Sequence, residues 1–276
     1  MKKNIGIIGC GNMGSAIARR LKGQYTLWVC DKDTSKLRDI AAEVLLAADL
    51  VQRSEVVILA VKPQDFSEIL ELIKKVGVGK DKLFISIAAG ITAAYIEQNL
   101  PQARVIRVMP NLPAQVGEGI TALSKGALAS LEDLDIAAEI FGYLGKTIIV
   151  DEGMMGAVTA ISGSGPAYVC FFLESKGLSA ANVPSALSDK FLAEFKEAAE
   201  ALGFSPQEAK LLVEQTYKGT ISLLKKKGAL PSELRCQVTS KGGTTEAALE
   251  VLSAGGSWTE AALAAKKRAE ELSRGG

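Results

Sequence analysis

The chain opens on Ile5-Gly6-Ile7-Ile8-Gly9-Cys10-Gly11-Asn12-Met13-Gly14, a short apolar run that turns at once into G-x-G-x-x-G. Ser15-Ala16-Ile17-Ala18-Arg19-Arg20-Leu21 follows with the periodicity of a helix. The glycine pattern alone is weak evidence. Set between a strand and a helix it constrains the fold strongly, because each glycine then has a physical task. Gly9 permits the tight turn, Gly11 lets a pyrophosphate approach the backbone, and Gly14 lets the helix pack on the strand. The helix start adds free N–H groups and the positive end of its dipole. The spacing therefore predicts a dinucleotide site built from Gly9, Cys10, Gly11, Asn12, Met13 and Gly14. The alternative is a glycine-rich βα turn that holds no ligand.

The alternation continues. Strands are expected at 4–8, 25–30, 56–61, 83–88, 104–109, 118–123 and 147–150, from short runs rich in Val, Ile and Leu. Helices are expected at 13–21, 34–42, 65–76, 92–99 and 131–144, from apolar residues at helical spacing. Strands alternating with helices imply an α/β architecture with a doubly wound, mostly parallel sheet. After Asp151 strand-like runs cease. Ser205-Pro206-Gln207-Glu208 starts a helix that runs to Lys227 and stops at Gly228; further helices are expected at 246–253 and 259–272. The expected division is 1–151 for the sheet domain and 152–276 for an all-α domain.

In such sheets ligands bind beyond the carboxyl ends of the strands. The second strand ends in Asp31-Lys32. An acid there suits an adenosine ribose and argues for NAD, whereas Lys32 suits a 2′-phosphate and argues for NADP. The third ends in Ala60-Val61-Lys62-Pro63, a turn on the expected cofactor face. Two later segments carry more glycine and hydroxyl than packing needs: Ser162-Gly163-Ser164-Gly165-Pro166-Ala167, and Thr239-Ser240-Lys241-Gly242-Gly243-Thr244-Thr245 before a helix. The second has the make-up of a small-anion site, with free backbone, hydroxyl donors and a helix start behind them. An ordinary capped loop is the alternative.

Composition removes several function classes. No histidine occurs in the 276 residues, so His-based triads, His-ligated metals and His acid–base pairs are excluded. Net charge is +1 and no basic stripe interleaves with aromatics, so a nucleic-acid partner is not expected. Lys225–Lys227 and the 266–268 run read as solvated faces near helix ends. Cys10, Cys30, Cys170 and Cys236 show no metal spacing and read as buried thiols in a reducing, cytoplasmic setting. No metal site and no signal peptide are read. The uncharged run 153–173 is long enough to span a membrane, but its Ser-Gly-Ser-Gly-Pro centre predicts two buried helices meeting at a break.

Taken together, Gly9–Gly14, Ala60-Val61-Lys62-Pro63-Gln64, Arg107-Val108-Met109-Pro110-Asn111, Ile161–Tyr168 and Val238–Thr245 resemble the pyrroline-5-carboxylate reductase family, in its order and over nearly the whole chain. The resemblance implies reduction of 1-pyrroline-5-carboxylate to L-proline by NAD(P)H, the last step of proline biosynthesis. It implies a Rossmann-type domain followed by an all-helical dimerisation domain, an active site where the two meet with helices from the partner subunit, and dimers or rings of dimers. NADPH would be preferred and NADH accepted. By the same resemblance Ser240, Gly242, Gly243, Thr244 and Thr245 would hold the substrate carboxylate, with Thr245 at the ring nitrogen as the catalytic residue. Met109 and Asn111 would line the pocket near the nicotinamide.

Leu112 stands where the family usually has threonine, and Lys241 where it usually has proline. About 19 residues near 175–193 look additional; Gly177, Asn182 and Pro184 make the first part a loop, and Ser185 begins a helix ending at Leu202. Two other readings compete. A β-hydroxyacid dehydrogenase or another imine reductase has a similar build, but the lysine–asparagine pair expected of the former is missing after Ser162-Gly163-Ser164-Gly165. A nucleotide-sensing protein that kept the fold would bind cofactor without turnover.

Overall fold

The computed structural model describes residues 3–274 apart from 39, 41 and 78. The chain divides into two compact units. One comprises residues 1–108 and 123–152 and the other 109–122 and 153–275. The expected boundary at 151 lacks one feature: Met109–Ala122, from the last residue of the sixth strand into the seventh, groups with the helical unit.

The first unit is organised by an eight-stranded sheet of order β3-β2-β1-β4-β5-β6-β7-β8. The strands are β1 (Asn4–Ile8), β2 (Thr26–Cys30), β3 (Glu43–Val44), β4 (Val56–Leu59), β5 (Leu83–Ser86), β6 (Arg104–Met109), β7 (Gly119–Lys125) and β8 (Gly145–Ile149). β1 pairs in parallel with β2 and β4, β2 with β3, β4 with β5, and β5 with β6. Chain order reverses at β1, the switch point at which doubly wound sheets bind ligands. β4 and β5 are buried at every position, which explains why they read as continuous apolar runs. Helices α1 (Asn12–Leu21), α2 (Ala47–Arg53), α3 (Phe66–Val76), α4 (Ala93–Asn99) and α5 (Leu131–Gly142) connect the strands. Phe66, Leu70 and Ile73 of α3 pack with Val57, Leu59 and Phe84 in one core. Each such side chain, fully buried, contributes roughly 1.5–3 kcal/mol.

Five elements differ from expectation here. The 34–42 helix is a single 3₁₀ turn, Thr34–Leu37, capped by Asp33; residues 39 and 41 of that expectation lie outside the described residues. β3 and α2 were not anticipated. β3 is two exposed residues long and α2 buries only Leu50 and Val51, so neither writes a strong pattern. The strands expected at 56–61 and 83–88 end two residues early, leaving Ala60-Val61 and Ile87-Ala88 beyond the sheet.

The second unit is helical: α6 (Met155–Val158), α7 (Gly165–Ser175), α8 (Ser185–Ala201), α9 (Pro206–Lys227), α10 (Pro231–Val238), α11 (Thr244–Ser253) and α12 (Trp258–Arg274). α9 starts with a reciprocal cap between Ser205 and Glu208 and stops at Gly228 in the left-handed conformation. The 176–184 segment is a loop and α8 ends against Leu202, as its residues predicted. The expected break between two helices at 162–166 is instead a π-turn, Thr159–Gly163, that joins α6 to α7. Glu152–Ser175 is long and apolar enough to cross a membrane, yet 78% of its most apolar stretch is buried inside the protein, as in the core helix of a globular domain. Phe191 of α8 stacks on Phe172 and meets Trp258 edge-on, at 4.6 and 5.0 Å between ring centres. Two surface readings are corrected. Cys236 is exposed and Cys30 half-buried, whereas Cys10 and Cys170 are buried. The basic run 266–268 lies within α12, where Arg268 donates to the Gly242 carbonyl at 2.8 Å.

Candidate functional site

The glycine turn is fixed from both sides of β1. Gly9 N–H donates to Cys30 O at 2.7 Å and Ala60 N–H to Ile8 O at 2.8 Å. Gly9 has φ +97°, and a Cβ there would lie 2.6 Å from the Ala60 carbonyl carbon and oxygen. A Cβ on Gly14 would run into the Gly9 carbonyl oxygen. Gly11 differs from both. It is the N-cap of α1 at φ −67° and ψ −165°, no side chain caps the helix, and a Cβ there would meet nothing. Gly9 and Gly14 are therefore required by the turn itself, whereas Gly11 leaves an open approach to an uncapped helix start.

A cavity of about 450 Å³ lies over this turn, lined by Gly9, Gly11, Asp31, Lys32, Ala60, Val61 and Lys62. Cys10, Asn12, Met13, Gly14 and Pro63 are not in its wall; Asn12 and Pro63 are exposed, and Gly14 is buried under the turn. Lys36, Leu46 and Ile69 line the cavity without having been singled out in the sequence. Asp31 is a strut: its carboxylate accepts from Cys10 N–H at 2.6 Å and Asp33 N–H at 2.8 Å, with Lys36 Nζ at 3.5 Å. Lys32 is paired with Asp65, and that hydrogen bond holds its ammonium above the ordinary value. The Cys10 thiol is pushed up to about 12 by burial and then by Asp31, so it stays protonated and is no nucleophile at neutral pH.

In the helical unit, α11 begins at Thr244, two residues before its expected start, with Gly243 as an N-cap that offers no side chain. Gly243 N–H donates to Ser240 O at 2.9 Å, and Gly242 sits at φ +68° with its N–H on Glu246 Oε2 at 2.6 Å. The loop is thus closed on itself, and its two threonines turn inward. Thr245, 4% exposed, donates to Ser164 Oγ at 3.0 Å. Ser164, fully buried, is also 3.0 Å from Thr244 Oγ1. The π-turn places Ser164, whose N–H reaches back to Thr159 O at 2.8 Å. π-turns of this kind recur at functional positions. The Tyr168 hydroxyl is buried beside Ser164; burial raises its pKa, and the neighbouring Ser164 hydroxyl offsets part of that rise.

Met109 and Asn111 belong to this same unit. The Met109 methyl group would be 3.3 Å from a Cβ on Gly163. Asn111 Oδ1 accepts from Ile120 N–H at 2.9 Å, which fixes the amide and leaves its buried Nδ2 without a partner. An unpaired buried donor costs about 1–3 kcal/mol unless a ligand satisfies it.

Residues 184–272 match the family described as "Pyrroline-5-carboxylate reductase dimerisation", and residues 4–90 the one described as "NADP oxidoreductase coenzyme F420-dependent". The pyrroline-5-carboxylate reductase of Arabidopsis thaliana is 36% identical, over 98% of this chain and 95% of its own length. The chain belongs to the pyrroline-5-carboxylate reductase family. A solved pyrroline-5-carboxylate reductase from Coxiella burnetii superposes with a TM-score of 0.64 at 31% identity, covering 99% of both chains. The Plasmodium falciparum pyrroline carboxylate reductase, crystallised with NADP bound, gives 0.62 at 27% identity, covering 98% of both. The two matches fall on the two singled-out regions: residues 4–90 contain the Gly9–Gly14 turn and residues 184–272 the Ser240–Thr245 loop.

Proposed function

We propose that the chain reduces 1-pyrroline-5-carboxylate to L-proline by hydride transfer from NADPH, with NADH as the second choice. The observation that supports this most is the pairing of an uncapped, open helix start at Gly11 with a second, hydroxyl-lined one at Gly243. The first takes the pyrophosphate of the dinucleotide on backbone N–H groups, and Asp31 and Lys32 face its adenosine end. Ala60, Val61, Lys62 and Pro63 follow the sheet edge toward the nicotinamide ribose. The second takes the substrate carboxylate on Ser240, Gly242, Gly243 and Thr244, with Thr245 at the ring nitrogen. The orphan amide of Asn111, beside Met109, supplies a donor to a ligand oxygen.

The chemistry asks little acid–base work of the protein. The protonated imine is already the electrophile. Hydride from the nicotinamide adds to its carbon, and the C=N electron pair moves onto nitrogen, which keeps its proton. The bound nicotinamide supplies the hydride, and the residues supply orientation, where proximity is worth several orders of magnitude. A chain without histidine suffices for this reaction.

Preference for NADPH rests on Lys32 and Lys36 at the cavity rim; the strut role of Asp31 commits much of its hydrogen-bonding capacity to the protein. We further propose a homodimer, assembled through the 184–272 region or extended to a ring of dimers, in the cytoplasm. The test is formation of proline from 1-pyrroline-5-carboxylate with each cofactor in turn. Turnover with NADPH faster than with NADH is expected. Cofactor binding without turnover of this imine would contradict the reading.

A further inference from the structure

Thr245 carries one hydroxyl proton and two lone pairs, so where the proton goes decides what the residue offers a ligand. Its proton goes to Ser164: Thr245 is the donor and Ser164 Oγ the acceptor, at 3.0 Å in a fully buried site. Ser164 Oγ is also 3.0 Å from Thr244 Oγ1, a pair in which either hydroxyl can donate; with one lone pair taken by Thr245, its own proton is free for that contact. The order consistent with the Thr245 donation runs from Thr245 to Ser164 to Thr244.

We infer that Ser164 is a positioning residue that makes Thr245 a hydrogen-bond acceptor toward the ring nitrogen, so that the site selects the protonated imine. The inference rests on the reading that Thr245 faces that nitrogen. An iminium N–H donates to the Thr245 lone pair and is held. A neutral imine presents its own lone pair to the same oxygen and finds no donor. Thr245 then gives up no proton during the reaction: hydride adds to carbon, the imine π electrons become the nitrogen lone pair, and the proton already on nitrogen stays. This polarity is the reverse of a threonine acting as a general acid, a task for which an alkyl hydroxyl is ill suited.

The consequence is a division of pH dependence. The specificity constant reports the free reactants, and the rate at saturation reports the bound complex. In the wild-type protein the neutral imine is excluded, so raising the pH raises KM while the single-turnover hydride-transfer rate at saturation stays flat. In Ser164→Ala the Thr245 proton is released and turns toward the ring nitrogen. Neutral imine is then bound unproductively, and the saturated rate falls with pH, about tenfold per pH unit past the midpoint, while KM stops rising. Thr244→Val acts on the other end of the chain, freeing the Ser164 proton to point back at Thr245, and gives the same change.

The experiment is stopped-flow oxidation of bound NADPH by 1-pyrroline-5-carboxylate across neutral to alkaline pH, for wild type, Ser164→Ala, Thr244→Val and Thr245→Val. Saturated rates that stay flat in both chain variants overturn the inference and leave Ser164 a packing residue. A wild-type saturated rate that falls in step with the specificity constant overturns it as well. Failure of the underlying reading has a different signature: Thr245→Val would keep the wild-type KM, rate and pH profile.

Discussion

The two glycine-led helix starts use one device to different ends. Gly11 before α1 and Gly243 before α11 both leave a helix start without a side-chain cap. Around Gly11 the cavity is lined by backbone, aliphatic carbon and charged side chains such as Asp31, Lys32 and Lys36, and the space where a Gly11 side chain would stand is empty. Around Gly243 the loop folds back on Ser240, and the next two residues bring hydroxyls onto buried Ser164. The first suits a group recognised by charge and shape alone, such as a pyrophosphate. The second suits a small ligand with a carboxylate at one end and a nitrogen that must be told protonated from neutral. A helix start supplies affinity for an anion; the surrounding side chains supply discrimination.

The comparison breaks first at the glycines. Gly14→Val drives a side chain into the Gly9 carbonyl, so it should destabilise the sheet unit by about 1–3 kcal/mol or more, seen as a lowered thermal midpoint. Gly11→Val should lower that midpoint far less, because its Cβ has open space and only the poorer N-cap preference of Val counts, yet obstruct the backbone donors. Loss of charge-assisted hydrogen bonds worth roughly 1.5–3 kcal/mol predicts NADPH binding about 10- to 150-fold weaker by titration. Equal effects of the two on stability would collapse the distinction between a turn glycine and a ligand glycine.

A smaller effect sharpens the account of the cofactor end. Lys32 is exposed and shared with Asp65, so Lys32→Ala should lower the NADPH-to-NADH ratio of kcat/KM only a few-fold. An unchanged ratio would move the 2′-phosphate contact to Lys36. The smallest effect lies away from both sites. Ser205→Ala removes the cap of α9 and should cost about 1 kcal/mol without touching NADPH affinity. Hydrogen bonds from Ser205 hold the Glu208 carboxyl below its ordinary value of 4.5. A depressed carboxylate stabilises the fold above that ordinary value and loses the contribution as pH falls through its folded value. The Ser205→Ala penalty should therefore shrink in acidic melts.

The glycine turn was legible because it is local. Strand, glycines and helix are consecutive, and their spacing carries the geometry. The two hydroxyl segments were also visible, each as an excess over packing needs. What spacing could not show is that Ser164 and Thr245 share a hydrogen bond, since 81 residues separate them and a π-turn sets the direction of one. Ser164 therefore went unassigned even though its segment was singled out. α10 was missed for another reason: it buries Leu234 and little else, so it leaves no periodic trace. Lys36 and Ile69 reach the cavity from a 3₁₀ turn and a helix flank, positions that follow from packing and not from motif. Asp31 was read correctly as a strand-end acid, but its two backbone partners, Cys10 and Asp33, emerge only from the fold.

The central claim is that the two helix starts divide the work, one holding the dinucleotide and the other the imine. NADPH titration of Thr245→Val, run beside proline formation by the same preparation, tests it most directly. The account predicts wild-type affinity for NADPH and about a 10- to 150-fold loss in kcat/KM for the imine, the worth of one hydrogen bond to a charged group. Retained turnover, or NADPH affinity lost together with it, would contradict that division.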